Sequence, residues 1–247
     1  CDRLIVNGVW QSETDSIFEL TYGTLPDGIY VNYADNSASV INPYFMQGVG
    51  VSINNADVVI DNNNTSYEIK TTLSGKTSDG QFLYNGTYKT TIELDGVSLT
   101  NTRGAAINIQ CGKRIALNLK KGTESTITDG KNGDQKAALY CKGHLEIDKS
   151  GTLNVTGNTA HAISAKEYIK FKKSDGIINI QGAVKDGIHC KQYFLANGFK
   201  VNISGTTGDG IDAEADGEEN EDGYVDGRIN INNGDFTITS VADTIKG

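Results

Sequence analysis

Three aspartates occupy the same place relative to an isoleucine that recurs along the second half of the chain. Asp186 and Asp209 each begin an Asp-Gly-Ile tripeptide, and Asp243 begins an Asp-Thr-Ile tripeptide. If these segments stack as neighbouring strands, their carboxylates lie roughly 5 Å apart, and like charges at that spacing repel unless a cation offsets them. Calcium prefers about six to eight oxygen ligands and tolerates loose geometry. The spacing therefore predicts a calcium site formed by Asp186, Asp209, Asp212, Glu214, Asp216 and Asp243.

The same aspartates have a simpler interpretation, which the sequence leaves open. Aspartate before glycine often accepts backbone N–H groups at a turn, without any metal. The acidic segment 212–226, which is interleaved with glycines, argues for binding, because insertions that project from one face of a repeat structure often carry it. The histidines at 144, 161 and 189 show no zinc-finger spacing with the cysteines, so they add no metal prediction of their own.

A second pattern places basic and aromatic residues on one face. An outward position three residues past the recurring isoleucine or leucine carries lysine in three turns, and the next outward position, one residue past it, carries Tyr140 and His189. Stacked lysines are unfavourable without anions, and the carboxylates of a polyuronate are natural partners; solvated lysines that guard a sheet face are the alternative. We therefore predict a polysaccharide-binding face formed by Tyr140, Lys142, Lys166, His189 and Lys191.

A repeat must position these residues. A small residue followed by isoleucine or leucine recurs with spacings of 32, 24, 25, 23 and 34 residues, at Ile107, Leu139, Ile163, Ile188, Ile211 and Ile245. A period near 24 residues is typical of a solenoid. Short runs rich in valine, isoleucine and threonine alternate with glycine and asparagine turns, about three runs to each repeat. The pattern predicts an all-β parallel β-helix over residues 37–247, with residues 1–36 as an N-terminal cap.

Composition and cysteine positions narrow the function further. The 247-residue chain carries a net charge of −9, which argues against nucleic acid as the partner. Cys141 and Cys190 fall in one column with Ala165 between them, too far apart for a disulfide, so we predict buried thiols. Cys1 suggests the acylated first residue of a mature bacterial lipoprotein, and hence an extracellular, surface-anchored location; a chain cut there for another reason is the alternative.

One set of motifs resembles a known family. These are Leu94-Asp95-Gly96-Val97, the run 123–130, Ala138-Leu139, the run 151–155 and the two Asp-Gly-Ile tripeptides. Their order is similar to that in secreted bacterial carbohydrate-binding domains with a right-handed parallel β-helix of the polysaccharide-lyase type. The resemblance covers residues 80–247 well, 37–79 loosely and the first 35 residues not at all. It implies binding of cellulose or a pectin-like cell-wall polysaccharide, bound Ca²⁺ and no proven catalysis.

Other function classes stay open. A calcium-dependent polysaccharide lyase needs a lysine or arginine base, and Lys191 or Lys166 beside Asp186 offers one. Arginine is scarce, however, and none of the four lies in the acidic stack, which disfavours a lyase and leaves enzymatic activity uncertain. Glycoside hydrolysis by opposed carboxylates is not excluded. A third possibility is a structural surface solenoid or adhesin that bound calcium stabilises.

Overall fold

The computed structural model describes residues 5–7, 19–21, 26–131, 133–214, 223 and 225–247. Within this part the protein is nearly all β, with 24 strands and one short 3₁₀ turn at Phe45–Gln47. No helix of the described residues is long and apolar enough to cross a membrane. The predictions for Cys1 and Asp216 lie outside the described residues.

The strand bounds follow the predicted runs closely. The strands are β1 (Ile5–Asn7), β2 (Glu19–Thr21), β3 (Ile29–Ala34), β4 (Ser37–Ile41), β5 (Val49–Asn54), β6 (Asp57–Asn62), β7 (Ile69–Thr77), β8 (Gln81–Gly86), β9 (Thr90–Leu94), β10 (Ser98–Asn101), β11 (Ile107–Gln110), β12 (Ile115–Leu119), β13 (Glu124–Asp129), β14 (Ala137–Cys141), β15 (Leu145–Asp148), β16 (Thr152–Gly157), β17 (His161–Ala165), β18 (Ile169–Phe171), β19 (Ile177–Ala183), β20 (Ile188–Cys190), β21 (Phe194–Thr206), β22 (Ile211–Ala213), β23 (Ile229–Ser240) and β24 (Ile245–Lys246).

Strands β3 to β24 wind into a right-handed parallel β-helix of about six turns, as predicted, whereas β1 and β2 form a separate antiparallel pair. One face, which we call the anchor sheet, runs in the order β5, β6, β8, β11, β14, β17, β20, β22, β24. The other two faces join in one continuous sheet, because the long strands β7, β21 and β23 take part in both. Each turn therefore contributes about three strands, one to each face.

The predicted column of anchor residues is confirmed by the register. Ile107 pairs with Leu139, which pairs with Ile163, and the column continues through Ile188, Ile211 and Ile245. All members but the last are fully buried, whereas Ile245 is 44% exposed because β24 is the last strand of the anchor sheet. The column lies within one continuous hydrophobic core that runs the length of the solenoid.

Glycine within the Asp-Gly-Ile tripeptide has a steric reason. A Cβ atom at Gly187 would lie 2.7 Å from the carbonyl oxygen of Gly210 and 2.8 Å from the Cγ2 of Ile203. The next turn of the solenoid therefore leaves no room for a side chain at this position. Earlier turns carry alanine and the last turn carries threonine at the same place, so the restriction is local to these two turns.

The N-terminal turns differ from the regular coils. β3 pairs with β4, and β5 with β6, in antiparallel hairpins rather than as parallel rungs. Each hairpin closes through a two-residue turn, and such a turn joins only antiparallel strands. Asp35 and Asn55 adopt positive φ angles of 51° and 54° in these turns, a conformation that aspartate and asparagine tolerate well. β3, inside the segment predicted as a cap, also pairs in parallel with β7 and so adjoins the solenoid directly.

The thiol predictions agree with the register. Cys141 pairs with Ala165, and Ala165 pairs with Cys190, so the two cysteines are separated by a full strand. Both are free and fully buried. Burial raises the pKa of the Cys141 thiol and that of the Cys190 thiol to about 12, because an apolar core disfavours the thiolate.

We expect Cys141 and Cys190 to resist alkylation in the folded protein, because the reactive thiolate is suppressed and the sulfur is out of reach. Peptide mapping after iodoacetamide treatment should find both unmodified without denaturant and both modified with it. A peptide in which Cys141 and Cys190 are joined would contradict the register.

We expect Ile163→Ala to lower the free energy of unfolding by about 2–5 kcal/mol, because Ile163 is fully buried in the middle of the anchor column. Val184→Ala is the matched control, since Val184 is 51% exposed and one turn of chain away. Urea titration of both variants checks the prediction. Equal losses for the two would show that the column is not the core.

Candidate functional site

A groove of about 490 Å³ runs along the outer side of the anchor sheet. Outward residues of β14, β17, β20 and β22 form its floor, and residues 134–136 form part of its wall. We call it the anchor-sheet groove. It is lined by Asp134, Gln135, Lys136, Tyr140, His161, Ser164, Ala165, Lys166, Lys185, Asp186, His189, Lys191, Asp212 and Glu214.

The floor of the groove is a ladder set by strand register. Tyr140 pairs with Ser164, Ser164 with His189, His189 with Asp212, and Asp212 with Lys246. A parallel strand places the same position of each turn directly beside its neighbour, about 4.8 Å away. Residues that are 23 to 34 positions apart in the chain thus become adjacent side chains on one surface.

Two histidines and an aspartate converge at the centre of the groove. The Nδ1 of His161 lies 3.0 Å from the Oδ2 of Asp186, and the Nδ1 of His189 lies 3.8 Å from the same oxygen. The two imidazole rings stack with their centroids 4.3 Å apart and their planes 15° apart. Asp212 approaches from the next turn, with its Oδ2 3.3 Å from the Nδ1 of His189. All four residues are less than one-tenth exposed.

The aspartate ladder bonds to the backbone of the following turn. The Oδ1 of Asp186 accepts the N–H of Asp209 at 2.8 Å, and the Oδ1 of Asp209 accepts the N–H of Asp243 at 2.8 Å. These bonds are the metal-free role that the sequence left open for aspartate before glycine or a turn. The carboxylates therefore hold successive turns together in addition to any ligand they bind.

Basic side chains offset much of the acidic charge. The Nζ of Lys246 lies 3.5 Å from the Oδ2 of Asp209 and 3.6 Å from the Oδ1 of Asp212. The Nζ of Lys191 lies 2.6 Å from the Oε2 of Glu214, whose Oε1 faces the Nε2 of His189 at 3.5 Å. The ladder is thus compensated by lysine and histidine among the described residues.

The predicted calcium ligands do not all meet at one point. Asp186, Asp212 and Glu214 line the groove, whereas Asp209 is buried beside Lys246 and Asp243 is exposed on the last turn. One oxygen of Asp186 and one of Asp209 already accept backbone N–H groups, and Lys246 stands between Asp209 and Asp212. The described carboxylates therefore do not converge on one point in the way that a calcium ion with six or so oxygen ligands requires. The calcium site stays a prediction.

The pKa values at the centre of the groove follow from these contacts. Burial disfavours the charged form of His189 and the electrostatic influence of His161 adds to this, so the pKa of His189 is lowered despite the carboxylates nearby. Burial alone would raise the pKa of Asp186, but contacts with His161 and the Asp209 N–H lower it. The bond from Lys191 lowers the pKa of Glu214. Near neutral pH this centre combines an ionised carboxylate with a neutral imidazole.

Four of the five residues predicted to bind polysaccharide line the groove: Tyr140, Lys166, His189 and Lys191. Lys142 lies one turn earlier on the same face and does not line it. Sequence reasoning did not single out His161, Lys136 or Lys185 among the residues that line the groove. His161 holds the position that aspartate takes in later turns, and Lys136 and Lys185 each lie three residues before an anchor, a repeating position that carries lysine in only these two turns.

Comparison with known proteins agrees with this architecture. The model of a family described as "Carbohydrate-binding domain-containing protein" matches residues 54–247, well over half of the chain. The chain belongs to this carbohydrate-binding domain family. A curated relative of the same description from Acetivibrio thermocellus is 28% identical over 109 residues, which are 40% of this chain and 38% of the relative. The matched part of this carbohydrate-binding domain thus spans well under half the length of that relative.

A solved structure shares the fold of the domain. It is described as a polysaccharide lyase-like protein from C. thermocellum in a gadolinium derivative. The two chains superpose with a TM-score of 0.70 at 21% identity, covering 89% of this chain and 94% of the other. Likeness at this level of identity shows a common β-helix fold.

We expect Asp186→Ala to destabilise the domain by about 1–3 kcal/mol, because the buried N–H of Asp209 loses its acceptor. Asp186→Asn keeps an acceptor oxygen and should cost less. Chemical unfolding in the presence of a chelator compares the two, with the exposed Asp134→Ala as control. If alanine and asparagine were equivalent, the backbone bond would not be what Asp186 contributes.

Proposed function

We propose that this domain binds an acidic cell-wall polysaccharide in the anchor-sheet groove and does not cleave it. The observation that carries the proposal is the set of four lysines, Lys136, Lys166, Lys185 and Lys191, that line one groove together with Tyr140. Membership of a carbohydrate-binding family supports the polysaccharide as a class. The lysines favour a polymer that bears carboxylates, such as a pectin-like chain, over neutral cellulose.

The arrangement of the groove suits a linear chain. Lys166 and Lys191 occupy equivalent positions in adjacent turns, so cationic groups repeat along the solenoid axis about every 4.8 Å. A polyuronate carries a carboxylate on each sugar and can place successive carboxylates beside successive turns. Tyr140 supplies a ring next to these charges, and a ring face is a common contact for the apolar side of a sugar.

The groove is poorly equipped for β-elimination. The reaction needs a basic group to remove a proton and a cation to neutralise the uronate. Lys191 is engaged by Glu214 at 2.6 Å, and no arginine among the described residues lines the groove. Of the two lysines that the sequence offered as a base, Lys166 forms no ion pair with a carboxylate among the described residues. These features support binding over catalysis.

We expect Lys166→Ala combined with Lys185→Ala to weaken binding to polygalacturonate at least roughly tenfold, because two charge-assisted contacts are lost. Affinity gel electrophoresis and calorimetry measure this. Lys142→Ala is the matched control, since Lys142 lies on the same face outside the groove and should change little. Added salt should weaken the wild-type interaction, because exposed charge pairs are screened over about 8–10 Å.

Three outcomes would contradict the proposal in different ways. Unchanged affinity in the double variant would remove the groove as the site. Equal binding to polygalacturonate and to neutral cellulose would remove the preference for an acidic chain. A rise in ultraviolet absorbance from unsaturated products, abolished by Lys166→Ala, would establish a lyase.

The predicted calcium dependence and surface location belong to this proposal as well. Repeating the binding assay with calcium and then with a chelator tests whether the Asp209, Asp212 and Asp243 ladder takes part, with Asp209→Ala as the variant. Attachment through an acylated Cys1 is tested separately, by mass spectrometry of the protein isolated from its native membrane fraction.

A further inference from the structure

We propose that His161, Asp186 and His189 form a binding site for a divalent transition metal of the zinc type, which shares Asp186 with the predicted calcium ladder. One ligand atom from each of the three residues can be chosen so that all lie within 4.8 Å of one another. Imidazole nitrogen suits zinc, copper, iron and nickel, whereas calcium prefers oxygen. A donor set of two nitrogens and one carboxylate oxygen therefore selects against calcium.

The distances fit an ion of this kind. Ligand atoms held about 2.0–2.2 Å from a tetrahedral ion lie roughly 3.3–3.5 Å from one another. The Oδ2 of Asp186 lies 3.0 Å from the Nδ1 of His161 and 3.8 Å from the Nδ1 of His189, which brackets that spacing. The three ligand atoms lie within 4.8 Å of one another and the two imidazole rings are stacked, so coordination of one ion requires the rings to turn towards it.

An unsatisfied buried atom points independently to a missing partner. The Nδ1 of His161 is buried, and its 3.0 Å contact with the Oδ2 of Asp186 does not have the geometry of a hydrogen bond. His161 is 6% exposed, so water does not reach it freely. A buried polar atom without a partner is costly, and coordination of an ion by this nitrogen would remove the cost.

Neighbouring groups are placed to orient the ligands. The Oε1 of Glu214 faces the Nε2 of His189 at 3.5 Å, as a carboxylate does behind a metal-bound imidazole. The other oxygen of Asp186 accepts the N–H of Asp209 at 2.8 Å, which fixes the carboxylate in the cluster. The Oδ2 of Asp212, 3.3 Å from the Nδ1 of His189, is available as a fourth ligand.

The location of the site gives the ion a route of entry and a role. All three residues line the anchor-sheet groove, so an ion can enter from solvent, and its remaining coordination positions would face the groove. Those positions would accept water or an oxygen atom of a bound molecule. The metal site does not depend on the proposed polysaccharide, because an ion alone is the probe in the experiment below.

The test is zinc titration of the full chain, prepared without a polyhistidine tag, stripped with a chelator and kept reduced. Calorimetry should give one zinc per chain. Zinc affinity should fall roughly tenfold or more in His161→Ala and in His189→Ala, because each variant loses one of the three metal ligands. His144→Ala is the matched control, because His144 stacks on Tyr168 and is not in the cluster. A millimolar excess of calcium should not displace the zinc.

A measurement on the unmutated chain protects the test against misfolded variants. Ring-nitrogen NMR signals of His161 and His189 should shift on addition of zinc, whereas the signal of His144 should not. The proposal is overturned if no zinc binds, or if both histidine variants bind zinc as tightly as the unmutated chain. It is also overturned if the ring signals do not move. Stoichiometric displacement of zinc by calcium would also overturn it, in favour of the calcium site.

Discussion

The register between parallel strands is the constraint on which this structure depends. Because each turn must place its apolar side chains over those of the turn before, the column from Ile107 to Ile211 fixes the alignment of every strand in the anchor sheet. A shift by one residue would turn that column outward and expose it to water. The same alignment determines which outward side chains become neighbours, so the core and the groove are set by one geometric condition.

Stacking like residues creates a charge problem that the protein solves locally. Aspartates in successive turns would repel one another, yet their inner oxygens accept N–H groups from the next turn and their outer oxygens face Lys246 or a histidine. The asparagines of a second face solve the equivalent problem without charge. Asn202 donates to Asn179, which donates to Asn154, each at 2.8 Å. Polar ladders thus help to hold the turns together.

The groove gathers groups of opposite character within one small volume. Lysines stand at its rim, while a buried cluster of histidine and carboxylate forms its floor. This division suits two kinds of recognition at once, since the exposed cations attract an anionic polymer and the buried nitrogens favour a small ion. Because both ligands would occupy the same groove, a bound ion would lie close enough to contact the polymer.

The sequence by itself determined the repeat, the three strands per turn, the anchor column and the separation of Cys141 from Cys190. These features depend on periodicity, which is written directly in the residue types. It could not determine the antiparallel hairpins at the N-terminal end, because their two-residue turns were not distinguished from the corners of coils. Nor did periodicity single out Lys136 and Lys185, because the position three residues before the anchor carries glycine or alanine in the other turns.

Only the tertiary structure decided how the ladder residues are partnered. The sequence predicted three equivalent carboxylates, at Asp186, Asp209 and Asp243, whose repulsion a bound cation would offset. In the structure Asp186 faces two histidines and Asp209 faces Lys246, whereas Asp243 is exposed. The physical reason is that periodicity gives the position of a Cα atom, while the direction of a side chain and the identity of its neighbours depend on packing between turns. Chemistry at this site follows from those neighbours.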